Sequence, residues 1–255
     1  MAEGRLGLGV DIGGSGIKGG LVDLDAGALR GDRFRVDTPQ PATPAAVGAV
    51  VGQVVDHFGW TGEVGAALPV VVTGGVARTA ANIDPSWIGT DIGEVLGRFV
   101  PGQVEVLNDA DAAGLAEVRY GAAREVAGVV LLLTFGTGIG SALFVDGRLV
   151  PNTELGHIDI GGEDGEDVAA ASVRERLDLS WADWATRVER YIGQLERFLW
   201  PDLIVVGGGV SKKVNRWLPL IEHRTPIVAA QLQNAAGIVG AALAAAETPA
   251  QKQRH

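Results

Sequence analysis

Two stretches of this chain fall from an apolar run into glycine and leave it as another apolar run. GVDIGGSGIKGGLVDLD spans Gly9–Asp25, and LLLTFGTGIGSALFVDGRLV spans Leu131–Val150. Inside them Gly14-Ser15-Gly16-Ile17 matches Gly136-Thr137-Gly138-Ile139 at an offset of 122 residues. Each match lies between two runs that read as strands, so each predicts a tight glycine turn in a hairpin. Four matched residues say little alone. Their shared strand–turn–strand setting makes two related lobes the simplest reading. A turn of this kind lets backbone N–H groups approach an anion without a Cβ in the way. Two such turns can grip two parts of a phosphate chain; two ordinary hairpins are the plainer alternative.

The rest of the chain alternates strands and helices. Leu6–Ile12 and LVDLDAGAL read as strands, the latter turning at Ala26-Gly27, and FRVDT as a third. Thr43–Gly59 has helical spacing of Val and Ala, with Thr43 as N-cap, Pro44 at the first position and Gly59 as the stop. EVGAALPVVVTGG reads as strand–loop–strand, and VEVLND as a short strand. DAAGLAEVRYG reads as a helix closed by Gly121, and VAGVVLLLTFG as a buried strand. Ser180–Trp200 is a long amphipathic helix, LIVVGGG a buried strand and AAGIVGAALAAAE a small-residue helix. The polar tail TPAQKQRH is expected to be disordered. This order predicts an α/β fold. The boundary falls near VEVLND, giving lobes 1–107 and 108–255, with the C-terminal helix able to pack back on the first.

Composition narrows the function. The chain has 255 residues, 38 of them glycine and none cysteine, so disulfides and thiolate-bound zinc are excluded. A net charge of −10, from 21 Lys+Arg against 31 Asp+Glu, leaves no broad basic face for nucleic acid or an anionic membrane. No apolar run approaches the ~20 residues of a membrane span. MAEGRLGLGV lacks an apolar signal core, so the expectation is a cytoplasmic protein.

Other motifs need sorting. GSGIKG is a literal G-x-G-x-x-G, but a dinucleotide fold needs a helix after it, and LVDLD is a strand. A Walker A loop is absent. Asp11 ends the strand before the first turn, where a carboxylate suits a Mg²⁺ shared with phosphate. Lys18 follows the turn. NDADAAG, Asn108–Gly114, is not an EF-hand, because position 12 from Asp109 is Tyr120. Asp111 is the better N-cap, which leaves Asp109 at the strand's carboxyl end to accept a hydroxyl proton. TELGHID holds Glu154 and His157, suited to sugar hydroxyls; the E-x-x-H spacing lacks the partner helices of a metal site. VVGGGVSKKVNRW reads as strand, glycine turn and helix, locally basic through Lys212, Lys213 and Arg216.

Together these motifs resemble the ROK family of sugar kinases, within the actin–hexokinase superfamily, over roughly Leu6–Ala245. DIGGSGIKGG resembles the family's first phosphate motif, TFGTGIGS its second and IVVGGGVS its nucleotide-side glycine motif. AANID, LNDADAAGLAE and ELGHI resemble its sugar-contacting and catalytic segments. Within the family the wording is similar to the actinobacterial polyphosphate glucokinases, in TPQPATP, PNTELGH and RTPIVAAQLQNAAGIVGAA. The resemblance implies a two-lobed actin-like, ribonuclease H-like fold with a ligand cleft between the lobes. It implies a homodimer, for which the six Trp and WLPLI offer an interface. It implies transfer of a phosphoryl group from inorganic polyphosphate to glucose O6, with ATP and mannose as lesser substrates and Mg²⁺ as cofactor.

On that resemblance Asp109 is the general base, and Asn82, Asn108, Asp109, Glu154, His157 and Glu166 contact the sugar, Asp167 being the alternative to Glu166. Gly13, Gly14, Ser15 and Lys18, Gly136, Thr137 and Gly138, and Gly208, Gly209 and Lys212 bind phosphate. Asp11 holds Mg²⁺ through water. Lys18, Arg148, Lys212, Lys213 and Arg216 line an open groove for the polyphosphate chain. Two departures stand out. The family's Cys-rich zinc loop is replaced by GHIDIGGEDGEDVAAAS, and its usual Pro-Gly is Pro69-Val70, which bears on the sugar pocket. The rivals are an ATP-dependent hexose kinase and a ROK-type sugar sensor, though a DNA-binding segment has no room before Leu6.

Overall fold

The computed structural model describes residues 4–80 and 83–247. The polar tail, residues 248–255, lies outside them. Two compact units divide the chain: one takes the residues up to Ala116 and from Ala235 onward, the other Glu117–Asn234.

The first unit is built on a hairpin. β1 (Leu6–Ile12) and β2 (Gly16–Asp23) pair antiparallel, from Leu6 opposite Asp23 to Ile12 opposite Ile17. β3 (Ala28–Leu29) and β4 (Phe34–Asp37) both pair β2. α1 (Pro44–Phe58) starts as its sequence dictates, with the Thr43 hydroxyl accepting from Ala46 N at 3.4 Å and Pro44 in the first turn, and stops at Gly59 with φ 57°. Val47, Val50, Val51, Val54 and Val55 share its buried face, each side chain worth roughly 1.5–3 kcal/mol on burial. β5 (Val64–Leu68) then runs parallel to β1. β6 (Val72–Thr73) and β7 (Val76–Ala77) form a small hairpin. α2 (Ile92–Gly97) leads to β8 (Val104–Asn108), parallel to β5, and β8 runs directly into α3 (Asp109–Tyr120).

The second unit repeats the plan. β9 (Val129–Phe135), β10 (Ile139–Val145) and β11 (Arg148–Val150) form an antiparallel meander. Three helices follow: α4 (Gly165–Ala169), α5 (Ala171–Arg176) and α6 (Trp181–Leu199). β12 (Leu203–Gly208) lies parallel to β9, and β13 (Ile227–Ala229) parallel to β12. The strand orders are β3-β2-β1-β5-β8 and β11-β10-β9-β12-β13. Position by position the two sheets agree, and each matched glycine segment joins the same two strands. Phe135, Trp184, Tyr191 and Trp217 form the aromatic centre of the second core, mostly edge to face.

α7 (Ala236–Ala246) belongs to the first unit and lies on β1, β5 and β8. Small residues make this approach possible from both sides. A Cβ on Gly65 of β5 would sit 1.8 Å from the Ala241 carbonyl oxygen, and one on Gly240 would sit 1.7 Å from that of Ala112. The first passage between units falls inside α3, between Ala116 and Glu117, whereas the sequence places it before Asn108. Among the described residues, no helix is long and apolar enough to cross a membrane.

Candidate active site

In the first unit, residues 13–15 connect β1 to β2. Gly13 N donates to Gly16 O at 3.1 Å, closing the turn. Its carbonyls are tied down from outside: Thr38 Oγ1 donates to Gly13 O at 2.5 Å, Gln40 Nε2 to Gly14 O at 3.5 Å and Arg35 Nη2 to Ser15 O at 3.2 Å. Among the described residues the amides of Gly14 and Ser15 have no acceptor. A turn whose carbonyls are engaged and whose amides are not is an anion site in waiting. Opposite one another on β1 and β2 stand Asp11 and Lys18, with Nζ 3.7 Å from Oδ2. Asp11 keeps 23% of its side chain exposed, yet dense surroundings desolvate the carboxylate enough to raise its pKa despite the opposing pull of Lys18 and Arg33.

At the end of β8 the chain enters α3 without a loop. Asn108, not Asp111, is the cap: its Oδ1 accepts from Ala110 N at 2.8 Å and from Asp111 N at 3.2 Å. Asp111 lies one turn in, 1% exposed. The expected N-cap is thus corrected by three residues, because Asn caps as well as Asp and sits where β8 already ends. Asn108 Nδ2 donates to Val70 O at 3.2 Å, so both ends of this buried amide are engaged by the protein. The Val70 side chain is 1% exposed in the first core, and only its backbone addresses the site. Asp109 is the first helical residue, half-buried, with Oδ1 accepting from Ala110 N at 2.8 Å. The helix dipole favours negative charge there. Asn82 lies outside the described residues.

In the second unit, residues 136–138 follow the same rule. Gly136 N donates to Gly138 O at 2.9 Å. Ser172 N donates to Gly136 O at 3.0 Å and Ser172 Oγ to Thr137 O at 2.6 Å. The amides of Thr137 and Gly138 have no acceptor among the described residues. Glu166, on α4, braces the exit of this turn, accepting from Ile139 N at 3.1 Å. A Cβ on Gly138 would lie 2.2 Å from Glu166 Oε2. Asp167 is exposed, which leaves Glu166 as the carboxylate against the turn.

His157 stands between two carboxylates. Its Nδ1 is 3.1 Å from Asp164 Oδ2, and its Nε2 is 3.9 Å from Glu154 Oε2. Partial burial pulls the His157 pKa down. The Asp164 hydrogen bond and the fields of Asp164, Glu166 and Glu154 outweigh that and raise it. Glu154 is pushed up by desolvation, against His157 and with Glu166. Beneath them Tyr191 Oη donates to Leu155 O at 3.0 Å; burial first, then Glu166 and Asp164, drives its pKa far upward and keeps it neutral. Asp164 was missed in the sequence. It occupies the cap position of α4 but makes no capping bond, because the turn at Gly161 and Gly162 aims it at His157 instead.

The glycine motif after β12 differs from expectation. Gly209–Arg216 winds as 3₁₀ turns broken at Lys213, whose φ is −122° and ψ 21°, so no α-helix N-terminus faces an anion there. Gly208 takes φ 76°, its carbonyl accepting from Ser211 Oγ at 2.8 Å. Gly209 and Lys213 line a pocket beside the second turn, and Lys212 is exposed outside it. Lys18 lies in the first unit, and Arg148, Lys212, Lys213 and Arg216 in the second. Arg148 is on the edge strand β11, the others after β12.

The ROK family profile matches residues 7–173. A polyphosphate glucokinase of Mycobacterium tuberculosis is 57% identical over 241 residues, covering 94% of this chain and 91% of that protein. A glucokinase of Streptomyces coelicolor is 28% identical over 310 residues, covering 92% and 96%. Among solved structures, the inorganic polyphosphate/ATP-glucomannokinase of Arthrobacter sp. strain KM superposes with a TM-score of 0.90 at 51% identity, covering 94% of this chain and 97% of that one. A ROK family glucokinase from Streptomyces griseus gives 0.76 at 25% identity, covering 93% and 98%. With its paired glycine hairpins in two sheets of one plan, this chain belongs to the ROK family and has the α/β actin-like, hexokinase-type fold of its sugar kinases.

Proposed function

We propose that this protein is a glucokinase that takes its phosphoryl group from inorganic polyphosphate and delivers it to glucose O6. The observation that carries the reading is the repeated hairpin turn: each presents two backbone amides without an acceptor among the described residues, as a phosphate-handling protein needs. The donor and the sugar come from the polyphosphate glucokinase and glucomannokinase relatives.

Asp109 accepts the O6 proton as the oxygen attacks the terminal phosphorus; the bridging P–O bond to the rest of the donor breaks, and polyphosphate one unit shorter leaves. Asn108 positions it by capping α3 and, with Asn82, contributes to sugar contact. Glu154, His157 and Glu166 hold the sugar hydroxyls, Glu166 through the oxygen not used by Ile139. The amides of Gly14 and Ser15, with Lys18, take phosphate oxygens in the first unit, where Gly13 closes the turn through Gly16. Thr137, Gly138, Gly208 and Gly209 do so in the second, with Gly136 closing the turn through Gly138 and Lys212 as a peripheral cation. Positioning and electrostatics carry the transfer, with little covalent work for the protein.

Asp11 is the residue that would hold Mg²⁺, through water. Among the described residues no group of three His, Cys, Asp or Glu could cage a metal. One hard carboxylate beside a phosphate turn fits an ion that keeps its waters and shares substrate oxygens. When bound, Mg²⁺ supplies positive charge to the phosphate oxygens.

Asp109→Asn tests the assignment. Turnover should fall ~10²-fold or more, while glucose still raises Tm. Turnover near the parent's removes Asp109 as the base. ATP and mannose are secondary substrates in this reading, supported by the glucomannokinase relative and the retained glycine turn at Gly208 and Gly209. The protein works in the cytoplasm as a homodimer, with exposed Phe198, Trp200 and Leu220 of the second unit as candidate contacts. A solution mass of one chain at micromolar concentration excludes the dimer.

A further inference from the structure

The pocket beside the second turn has a volume of about 430 Å³ and is walled by residues of the second unit only. Gly136 and Thr137 belong to its lining, and Arg174, Trp181 and Lys213 add two cations and an indole to it. Arg174 Cζ lies 4.0 Å from the centroid of the Trp181 ring, and Lys213 Nζ 5.9 Å. Among the described residues neither cation forms an ion pair. Arg174 Nε is buried and has no acceptor. Glu175 is the single carboxylate in the lining, and it is solvent-exposed.

These facts point one way. A buried guanidinium donor without an acceptor is costly unless something else supplies the acceptor. Stacking on Trp181 fixes the guanidinium plane and leaves its edges to bind oxyanions, which a flexible ammonium cannot do. α5 is anchored to the turn through Ser172, two residues before Arg174, so the cation is held at a set distance from the phosphate-binding amides. A chain of phosphates leaving that turn carries a negative charge at each unit, and the pocket beside the turn offers it two cations.

We propose that Arg174 and Lys213 bind the phosphate groups of the donor chain beyond the one transferred, with Trp181 fixing the guanidinium. This rests on the polyphosphate reading above and assigns its donor selectivity to Arg174, which no glycine motif contains, acting with Lys213. Arg174→Met keeps a straight stem against the indole and removes the charge and the fork. Lys213→Met changes an exposed side chain and guards against a folding artefact. Binding of long-chain polyphosphate, measured by calorimetry without glucose at low salt, should weaken about ten-fold in Arg174→Met and about three-fold in Lys213→Met. The dependence of log Kd on log salt should become shallower in both. The ratio of kcat/KM for polyphosphate to that for ATP should fall about ten-fold in Arg174→Met. Polyphosphate affinity within about two-fold of the parent's in both variants overturns the proposal, as does an equal loss with ATP. Failure of the parent itself to use polyphosphate is a separate outcome and removes the donor reading beneath it.

Discussion

His157 shows how a half-exposed side chain can be set for one task. Its two nitrogens face Asp164 and Glu154, and the net field favours the imidazolium. With the folded pKa above the ordinary value, the Asp164 contribution is complete below about pH 6.5 and is lost as pH rises through the folded pKa. Glucose KM should therefore rise on that alkaline side, where His157 stops donating from both nitrogens. Asp164→Asn withdraws the main partner, so the same rise should begin at lower pH. KM profiles from about pH 5.5 to 8.5 check this; superimposable profiles mean that Asp164 does not orient His157. His157 was legible in the sequence because Glu154, Gly156 and His157 form a compact polar signature. Asp164 was not, since Asp159, Glu163, Glu166 and Asp167 crowd the same stretch and only the fold of the intervening glycines selects among them. Asn108 and Asp111 posed a similar ambiguity. Both residue types cap helices, and the end of β8 decided it.

Elements whose boundaries are marked chemically came through the sequence well. α1 has a Thr cap, a Pro start and a Gly stop, and runs Pro44–Phe58. α6 has Ser180 accepting from Asp183 N at 3.1 Å, and runs Trp181–Leu199. Gly209–Arg216 lacks such marks, and its lysines, Asn and Arg make no apolar stripe long enough to hold an α-helix; it closes as 3₁₀ turns. α7 is nearly all Ala and Gly, so its periodicity is silent about which face is buried. Backbone proximity answers that, through Gly65 and Gly240. Gly65→Ala places a methyl against the Ala241 carbonyl, and the helix must move away from β5. A loss of ~3 kcal/mol or more is expected, seen as a fall in Tm of about 2–4 °C per kcal/mol at this size. A Tm unchanged by the substitution would mean that α7 does not rest on β5.

At the scale of the molecule, the repeated glycine segment is the visible end of a larger repetition. Within it only three residues are identical, with Ser15 standing against Thr137, but the strand order around them matches throughout, because topology is held by apolar runs that tolerate substitution. This is why the α/β class and both hairpins could be read from the chain, while the passage inside α3 required the structure. The donor is read from relatives, and it is the claim on which the rest depends. The direct measurement is glucose 6-phosphate formation by the purified protein with Mg²⁺, glucose and nucleotide-free long-chain polyphosphate. The account predicts product from polyphosphate alone. A protein that binds glucose yet yields product only when ATP is added would contradict it.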